Sequence, residues 1–312
     1  MKQSNIKKII RNTVKSPIMI VIGIILLLYV AFFLYILAWG FFTSVKAHLG
    51  SFNLFRKNPI GLPEGAPWEW QWSNYSNVMD YMYVYIFNEV NGTMLKTKVN
   101  LGGMFFNTLL YTFGGAAVQT LVPCFVAYAT AKTNFKFSKI YDAIILAVMV
   151  IPIVGAQPSQ LHVLNTLGLY DTWIGYYVQS AHTISVYYLI FQAFFRSVPN
   201  AYAEAAYLDG AGEYTIMLKV IFPLARTMLT TVFLIHFITI WNDYNTSLIY
   251  MPTHPSLAYG IFFLVFQNSE TRINNIVFKM AGSYMLFSPI LIVFICFRKV
   301  IMQNVSMGGI KE

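Results

Sequence analysis

The chain has 312 residues, of which 57% are hydrophobic, 17% aromatic and only 11% charged, with a mean hydropathy of +0.57. Soluble domains carry about a quarter charged residues, so a soluble globular enzyme is excluded; the apolar runs are also too long and continuous for alternating barrel strands, which leaves a helical integral membrane protein. The net charge of +9 does not mark a nucleic-acid binder, because Lys2, Lys7, Lys8, Arg11 and Lys15 crowd ahead of the first apolar run with no acid among them, the positive-inside pattern of a cytoplasmic N-terminus.

The run that follows Lys15 is far longer than the ~7–15 residues of a signal-peptide core and is expected to stay as an uncleaved anchor. Stretches without charge predict six membrane spans: Ser16–Val45, Val99–Ala131, Ala143–Tyr170, Thr172–Phe195, Thr227–Asn242 with its flanks, and Met280–Phe297 with its N-terminal flank. Each reaches or extends to the ~17–25 residues a crossing helix needs, and helices are required because no backbone amide can go unpaired in lipid.

Six spans put both termini inside, and the charges agree. Segments 1–16, 132–142, 196–226 and the tail from Arg298 hold 14 of the 21 Lys and Arg, with Lys132, Lys136 and Lys139 as the decisive short cluster. The chain is therefore expected to comprise a cytoplasmic N-terminal segment (1–16) and a single transmembrane domain (17–312). That domain has an external loop at about 46–98, a loop at about 196–226 on the inner side and a tail at about 298–312. No internal repeat or second domain is visible. Pro152 and Pro158 inside the third span should kink or unwind it.

The external loop carries Pro59, Pro63 and Pro67, then Trp68-Glu-Trp-Gln-Trp72; these tryptophans suit either an interfacial anchor or contact with a soluble partner or sugar ring. Asn74-Tyr-Ser and Asn91-Gly-Thr match the glycosylation pattern by what chance alone would give. Cys124 and Cys296 lie in apolar runs as small hydrophobes rather than a disulfide or metal pair.

The chemistry of an enzyme is missing from the sequence. There is no G-x-x-x-x-G-K-[ST] phosphate loop, no H-E-x-x-H and no close Cys/His cluster, so no metal or cofactor is expected in this chain. His182 and His236 fall within spans, where a polar ring must find a partner inside the bundle. Near the outer end of the fifth span stands Trp241-Asn242-Asp243-Tyr244. An ionised Asp at mid-membrane costs at least ~2.5–3.5 kcal/mol, so Asp243 belongs either in a watered pathway or at the external interface. The residues leave both open.

The segment 199–223 is polar and helix-prone around a glycine break. Ala201–Leu208 is a strong helix former preceded by Pro199; Gly210 and Gly212 allow a tight turn or a close approach; Glu213–Phe222 resumes helical spacing before Pro223. Glu204, Asp209 and Glu213 set negative charge among otherwise positive inner loops. Taken alone, these residues fit two short helices that either dock on a partner or merely connect spans.

The order Glu204-Ala205-Ala206, three residues, Gly210, nine residues, Val220-Ile221-Phe222-Pro223 resembles the EAA loop of ABC-importer permeases. The stretches Leu164–Thr172, Phe195–Pro199, Ala205–Ala211 and Trp241–Tyr244 resemble the carbohydrate branch of that family, and the end Met307-Gly-Gly-Ile-Lys-Glu312 is similar to the tail of the smaller, six-span permease of the maltose type. The branch usually has Glu-Leu where this chain has Ala201-Tyr202.

The resemblance implies an all-α type I ABC-importer permease with a cytoplasmic EAA coupling loop, residing in a bacterial cytoplasmic membrane. Glu204, Ala205, Ala206, Asp209, Gly210, Gly212 and Pro223 would couple to the ATPase, Gly308, Gly309 and Lys311 would reach it from the tail, and Trp241, Asn242, Asp243 and Tyr244 would border the translocation pathway. Implied partners are a second permease subunit, an ABC ATPase dimer that binds ATP and Mg, an extracytoplasmic solute-binding protein, and a carbohydrate, with an oligosaccharide favoured. A permease for a non-sugar solute, a secondary carrier and a non-transporting scaffold are the alternatives.

Overall fold

The computed structural model describes residues 17–47, 61–90, 93–133, 136–151, 155–267 and 275–307. It divides into two compact units, residues 1–78 with 268–285, and residues 79–267 with 286–312. In chain order the elements are α1 (Pro17–Ser44), α2 (Ser73–Tyr81), a hairpin of β1 (Tyr83–Val90) and β2 (Thr93–Asn100), and α3 (Leu101–Lys132). There follow α4 (Ser138–Val150), α5 (Ala156–Thr166), α6 (Trp173–Ser180), α7 (Val186–Ser197) and α8 (Ala201–Leu208). The last four are α9 (Glu213–Leu224), α10 (Arg226–Trp241), α11 (Leu257–Phe266) and α12 (Ile276–Met307).

In the first unit α1 is apolar on every face, and from Ile18 to Ile36 its large side chains are exposed, as a helix needs if its surroundings are lipid or another subunit. Its C-terminal end is where packing begins. Gly40 lies under the Tyr284 ring, so close that a Cβ would come within 3.1 Å of it, and the Tyr284 hydroxyl donates to the Leu37 carbonyl. Trp72 packs near Phe41 and Trp70 meets Phe42 edge-on, their indole N–H groups donating to Pro67 and Gly65 carbonyls. These two tryptophans therefore close over the end of α1, while Trp68 stays 81% exposed. Asn74 is fully buried and its amide donates to the carbonyls of Ser44 (2.9 Å) and Lys46 (2.8 Å) just past the helix end. Its side chain thus serves the first span and is closed to a glycan.

In the second unit α3 is the central post, packing against α7 and α10, with α11 beside its first turns. The hairpin pairs antiparallel from Tyr83↔Asn100 to Val90↔Thr93, and Asn100 ends it by capping α3 through its side-chain oxygen to Gly103 N–H. Val84 and Ile86 face inward while Tyr85 and Phe87 face out, with Lys96 and Lys98 over the Tyr85 and Tyr83 rings. Within α3 the helix widens to a π-helical turn at Leu110–Gly114. The Tyr177 and Tyr176 hydroxyls donate to the carbonyls of Leu110 and Tyr111 at that turn. Gly114 and Gly115 make the approach possible, because a Cβ at either would stand 2.5 Å or less from a tyrosine atom.

Among the described residues three helices are individually long and apolar enough to cross a membrane, Pro17–Ser44, Leu101–Lys132 and Ile276–Lys299, and the bent pair α9–α10 would make a fourth. The stretches expected as the third and fourth spans are instead each two helices. The third ends at Val150 and resumes at Ala156 after Gly155, whose φ of 77° is left-handed; Pro152 lies outside the described residues, and Pro158 sits harmlessly in the first turn of α5. The fourth is interrupted from Ala181 to Ser185, where Ser185 caps α7 and the Thr183 hydroxyl pairs with that of Tyr141 at 2.6 Å. Polar side chains that offer the backbone alternative partners make such a break affordable in an apolar run. Cys124 is buried as expected, whereas Cys296 is exposed.

Asn74→Ala should leave two buried carbonyls without their donor, a loss of about 1–3 kcal/mol. The expected result is an apparent melting temperature in detergent lowered by a few degrees with insertion intact; an unchanged midpoint would show that the amide does not hold the end of α1.

Candidate coupling surface

The segment 199–223 builds a surface from two short helices. Val198 ends α7 and Asn200 starts α8, its carbonyl accepting from Ala203 N–H (2.9 Å) and Glu204 N–H (3.0 Å). The Asn200 side-chain oxygen is taken elsewhere, accepting from Lys132 Nζ at 2.8 Å. The end of α8 is a complete Schellman turn: Gly210 N–H donates to Tyr207 O and Ala211 N–H to Ala206 O, both at 3.0 Å, with Gly210 at φ 82°. A non-glycine residue held left-handed costs about 1–2 kcal/mol. The turn alone therefore accounts for Gly210, since within this chain a Cβ there would meet open space.

After Gly212, the N-cap residue with extended backbone, α9 runs from Glu213 through a π-helical turn at Met217–Ile221 to Leu224. Pro223, which has no N–H to give the preceding turn, stands just before the bend at Ala225, where α9 leaves the axis of α10 by 76°. One face of α9 is anchored through Ile216, Ile221 and Ala225, which join Tyr128, Phe195 and Val232 in a buried cluster.

The other face is unpartnered. No residue of α8 is buried; Ala203 and Ala206 are half-covered, Glu204, Ala205 and Asp209 are exposed, and Tyr202, Tyr207, Leu208 and Tyr214 stand out at 52%, 63%, 90% and 80% exposure. Behind α8 lies a cleft of about 520 Å³ lined by Tyr128, Lys132, Asn200, Ala203, Glu204 and Tyr207. Exposed apolar side chains set among acids on a short helix are the kind of surface that suits an interaction site. Among the described residues no group of three His, Cys, Asp or Glu is disposed to hold a metal ion.

The other residues singled out by the sequence are not gathered here. Trp241 is 2% exposed, stacked on Phe237, with its indole N–H donating to Leu286 O at 3.0 Å. Asp243 accepts from Asn245 N–H (2.8 Å), Thr246 N–H (3.4 Å) and the Thr246 hydroxyl, closing the turn after α10. Tyr244 stacks on Phe262 and Asn242 is exposed. Gly308, Gly309 and Lys311 lie outside the described residues. Sequence reasoning missed Asp171, whose φ is 56° and whose carboxylate accepts from Thr253 N–H and lies 3.3 Å from His254 Nδ1. It also missed the role of Lys132; the one hint is a lysine at the very end of an apolar span.

Comparison with known proteins places this helical chain. Residues 119–306 match the family described as "Binding-protein-dependent transport system inner membrane component", and the chain belongs to that family. It is 24% identical over 216 residues to the melibiose/raffinose/stachyose import permease protein MelC of Bacillus subtilis, covering 69% of this chain and 78% of MelC. It is 26% identical over 217 residues to the trehalose transport system permease protein SugB of Mycobacterium tuberculosis, covering 67% and 78%. In fold it matches a chain of a bacterial ABC transporter involved in the import of the acidic polysaccharide alginate, with a TM-score of 0.69 and 21% identity over 91% of this chain and 98% of that one.

Gly210→Ala is expected to loosen the turn and Gly210→Asn, which tolerates the left-handed region, to do so less. Faster amide exchange across 203–211 in the alanine variant alone is the measurement; equal exchange in both would mean the left-handed turn is not what requires glycine.

Proposed function

We propose that this chain is a permease subunit of an ABC importer for a carbohydrate, an oligosaccharide in particular, spanning the membrane six times with both termini in the cytoplasm. The observation that carries the coupling assignment is the segment of α8 and the start of α9: α8 has no buried residue, and the segment displays Tyr202, Tyr207, Leu208 and Tyr214 among Glu204, Asp209 and Glu213. A monomeric protein gains nothing by such a surface, whereas an ATPase subunit with a basic, apolar-lined groove would cover it. The split of Lys and Arg, 14 of 21 on the side of 199–223 by the six-span count, supports its cytoplasmic placement. The sugar permeases among the relatives support the substrate class.

In this reading the chain performs no hydrolysis. ATP and Mg bind in a separate ATPase dimer, whose closure carries α8 and α9 with it. Because α9 meets α10 at 76°, a displacement along α9 becomes a tilt of α10, and rigid-body rocking of spans alternates access. A second permease subunit completes the pathway, and an extracytoplasmic binding protein delivers the solute. The tail residues Gly308, Gly309 and Lys311 add a second contact with the ATPase. Of Trp241–Tyr244, the exposed Asn242 amide is the group we assign to sugar hydroxyls, with Trp241 and Asp243 holding the turn behind it.

Two measurements test this. ATP hydrolysis by the complex reconstituted with its binding protein should rise with raffinose- or trehalose-type sugars and not with peptides; a response to peptides alone would remove the carbohydrate assignment. Leu208→Asp, at a position with no packing to lose, should insert normally yet reduce ATPase capture by at least about tenfold, as central interface residues do. Undiminished capture would remove the coupling assignment.

A further inference from the structure

At the root of the coupling segment three helices meet on one carboxylate. Asp142 lies early in α4; its Oδ1 accepts from the Tyr188 hydroxyl (2.7 Å) and Gln192 Nε2 (2.5 Å), and its Oδ2 from an Arg196 guanidinium nitrogen (2.8 Å). The three donors stand four residues apart on α7 and so form one stripe along it. Thr130 of α3 joins the same group, its hydroxyl 2.9 Å from that of Tyr188 and accepting from Gln192 at 3.3 Å. Tyr188, Gln192 and Thr130 are all buried, and Asp142 keeps only 16% of its side chain exposed.

A half-turn further along α3, Lys132 reaches the other way. Its ammonium donates to the Val198 carbonyl and to the Asn200 side-chain oxygen. Those residues flank Pro199 and are the last before α8 begins. Polar bonds therefore tie α4 to α7 and α7 to α3, and two residues further along α3 a separate pair ties α3 to the base of α8. Apolar contacts between helices can slide by fractions of an ångström with little change in energy. Charge-assisted bonds are directional and are either made or lost, so the linked elements should move as one body.

We propose that Asp142 and Lys132 are positioning residues for transport: Asp142 locks α3, α4 and α7 together, and Lys132 latches the base of α8 to them, so that movement imposed on α8 reaches the spans. This rests on the coupling assignment above and extends it to residues outside the loop. Neither residue touches the solute or the nucleotide.

The test uses the complete importer in proteoliposomes, with the permease partner, ATPase dimer and binding protein. Raffinose and trehalose uptake is measured beside ATP hydrolysis in the same vesicles. Asp142→Asn and Lys132→Gln should lower solute moved per ATP by roughly 5- to 20-fold, the range of ordinary coupling energies, and Lys132→Arg should restore most of it. A second readout is the distance between spin labels on cysteines introduced at the exposed positions Ile140 and Tyr202, with Cys124 and Cys296 replaced by serine. The distribution should be narrow and indifferent to ATP in the unaltered background, and broader and ATP-dependent in Asp142→Asn and Lys132→Gln.

Unchanged solute per ATP together with an unchanged distance distribution would overturn the proposal. So would a proportional fall in uptake and hydrolysis that Lys132→Arg does not rescue, which is what a purely structural role predicts. If Asp142→Asn fails to accumulate, Lys132→Gln carries the test, since Lys132 is only half-buried. A wild-type complex in which ATP hydrolysis ignores α8 altogether would instead remove the coupling assignment on which the proposal stands.

Discussion

The constraint from which the rest of this structure follows is that a backbone without water must find its own partners. Regular helix meets it at no cost in side chains, and α1, which is helix and hydrocarbon throughout, shows the simplest solution. Wherever the ladder departs from regularity the chain supplies substitutes. At the π-helical turn of α3 they are the Tyr176 and Tyr177 hydroxyls, admitted by Gly114 and Gly115. Thr108 and Thr112 bond back to the carbonyls four residues earlier, at 2.8 and 2.6 Å, and Thr108 also accepts from Leu257 N–H at 2.7 Å. These are dispersed single residues, and each supports a local irregularity that a uniform apolar helix could not hold.

The same constraint separates two kinds of exposed surface. Along α1 and from Leu291 to Phe297 of α12 the exposed side chains are almost wholly apolar, which lipid or a neighbouring subunit satisfies without specific partners. Around α8 and the start of α9 apolar side chains alternate with carboxylates. Lipid would leave those carboxylates uncompensated and water would leave Leu208 and Tyr214 uncovered. A protein surface both apolar and basic would answer both, which is the physical argument behind the coupling role we propose for this loop.

Much of this was legible in the chain itself. Long apolar runs gave α1 and α3 to within two residues, and located α12 though it runs ten residues past the expected end, because a helix in lipid requires no more than length and hydropathy. The Glu-Ala-Ala…Gly order located the elbow, and the left-handed Gly210 is what a glycine following a helix-forming run implies. Pro152 and Pro158 predict a kink or unwinding in the third stretch, whereas the break at 181–185 is not visible, since Ala181-His-Thr-Ile is uncharged and scores as span; there the Thr183 hydroxyl pairs with that of Tyr141, distant in sequence, and Ser185 caps α7. Asp142 escaped notice because its partners are likewise distant in sequence, and Lys132 stands out only as part of the positive inner cluster. In sequence they read as the acid and base of a charged inner loop, and their meaning depends on α7 presenting Tyr188, Gln192 and Arg196 in a row. Trp241 and Asp243 drew attention as ligand-like residues, yet their hydrogen bonds are to the fold's own backbone and to Thr246.

The geometry of the elbow explains why a small displacement could matter. Had α9 continued straight into α10, a push on α8 would have been spent compressing a helix along its axis, which its hydrogen bonds resist. With the axes 76° apart, the same push acts across α10 and is opposed only by side-chain packing, in which small shifts between discrete arrangements are possible. The buried cluster of Ile216, Ile221 and Ala225 with Tyr128, Phe195 and Val232 packs the elbow against its neighbours, so in the coupling we propose a push would be transmitted rather than absorbed. Pro223 and the π-helical turn before it weaken the backbone ladder at the one place where a bend is needed, while apolar packing and the Lys132 bonds at the base of α8 hold its angle.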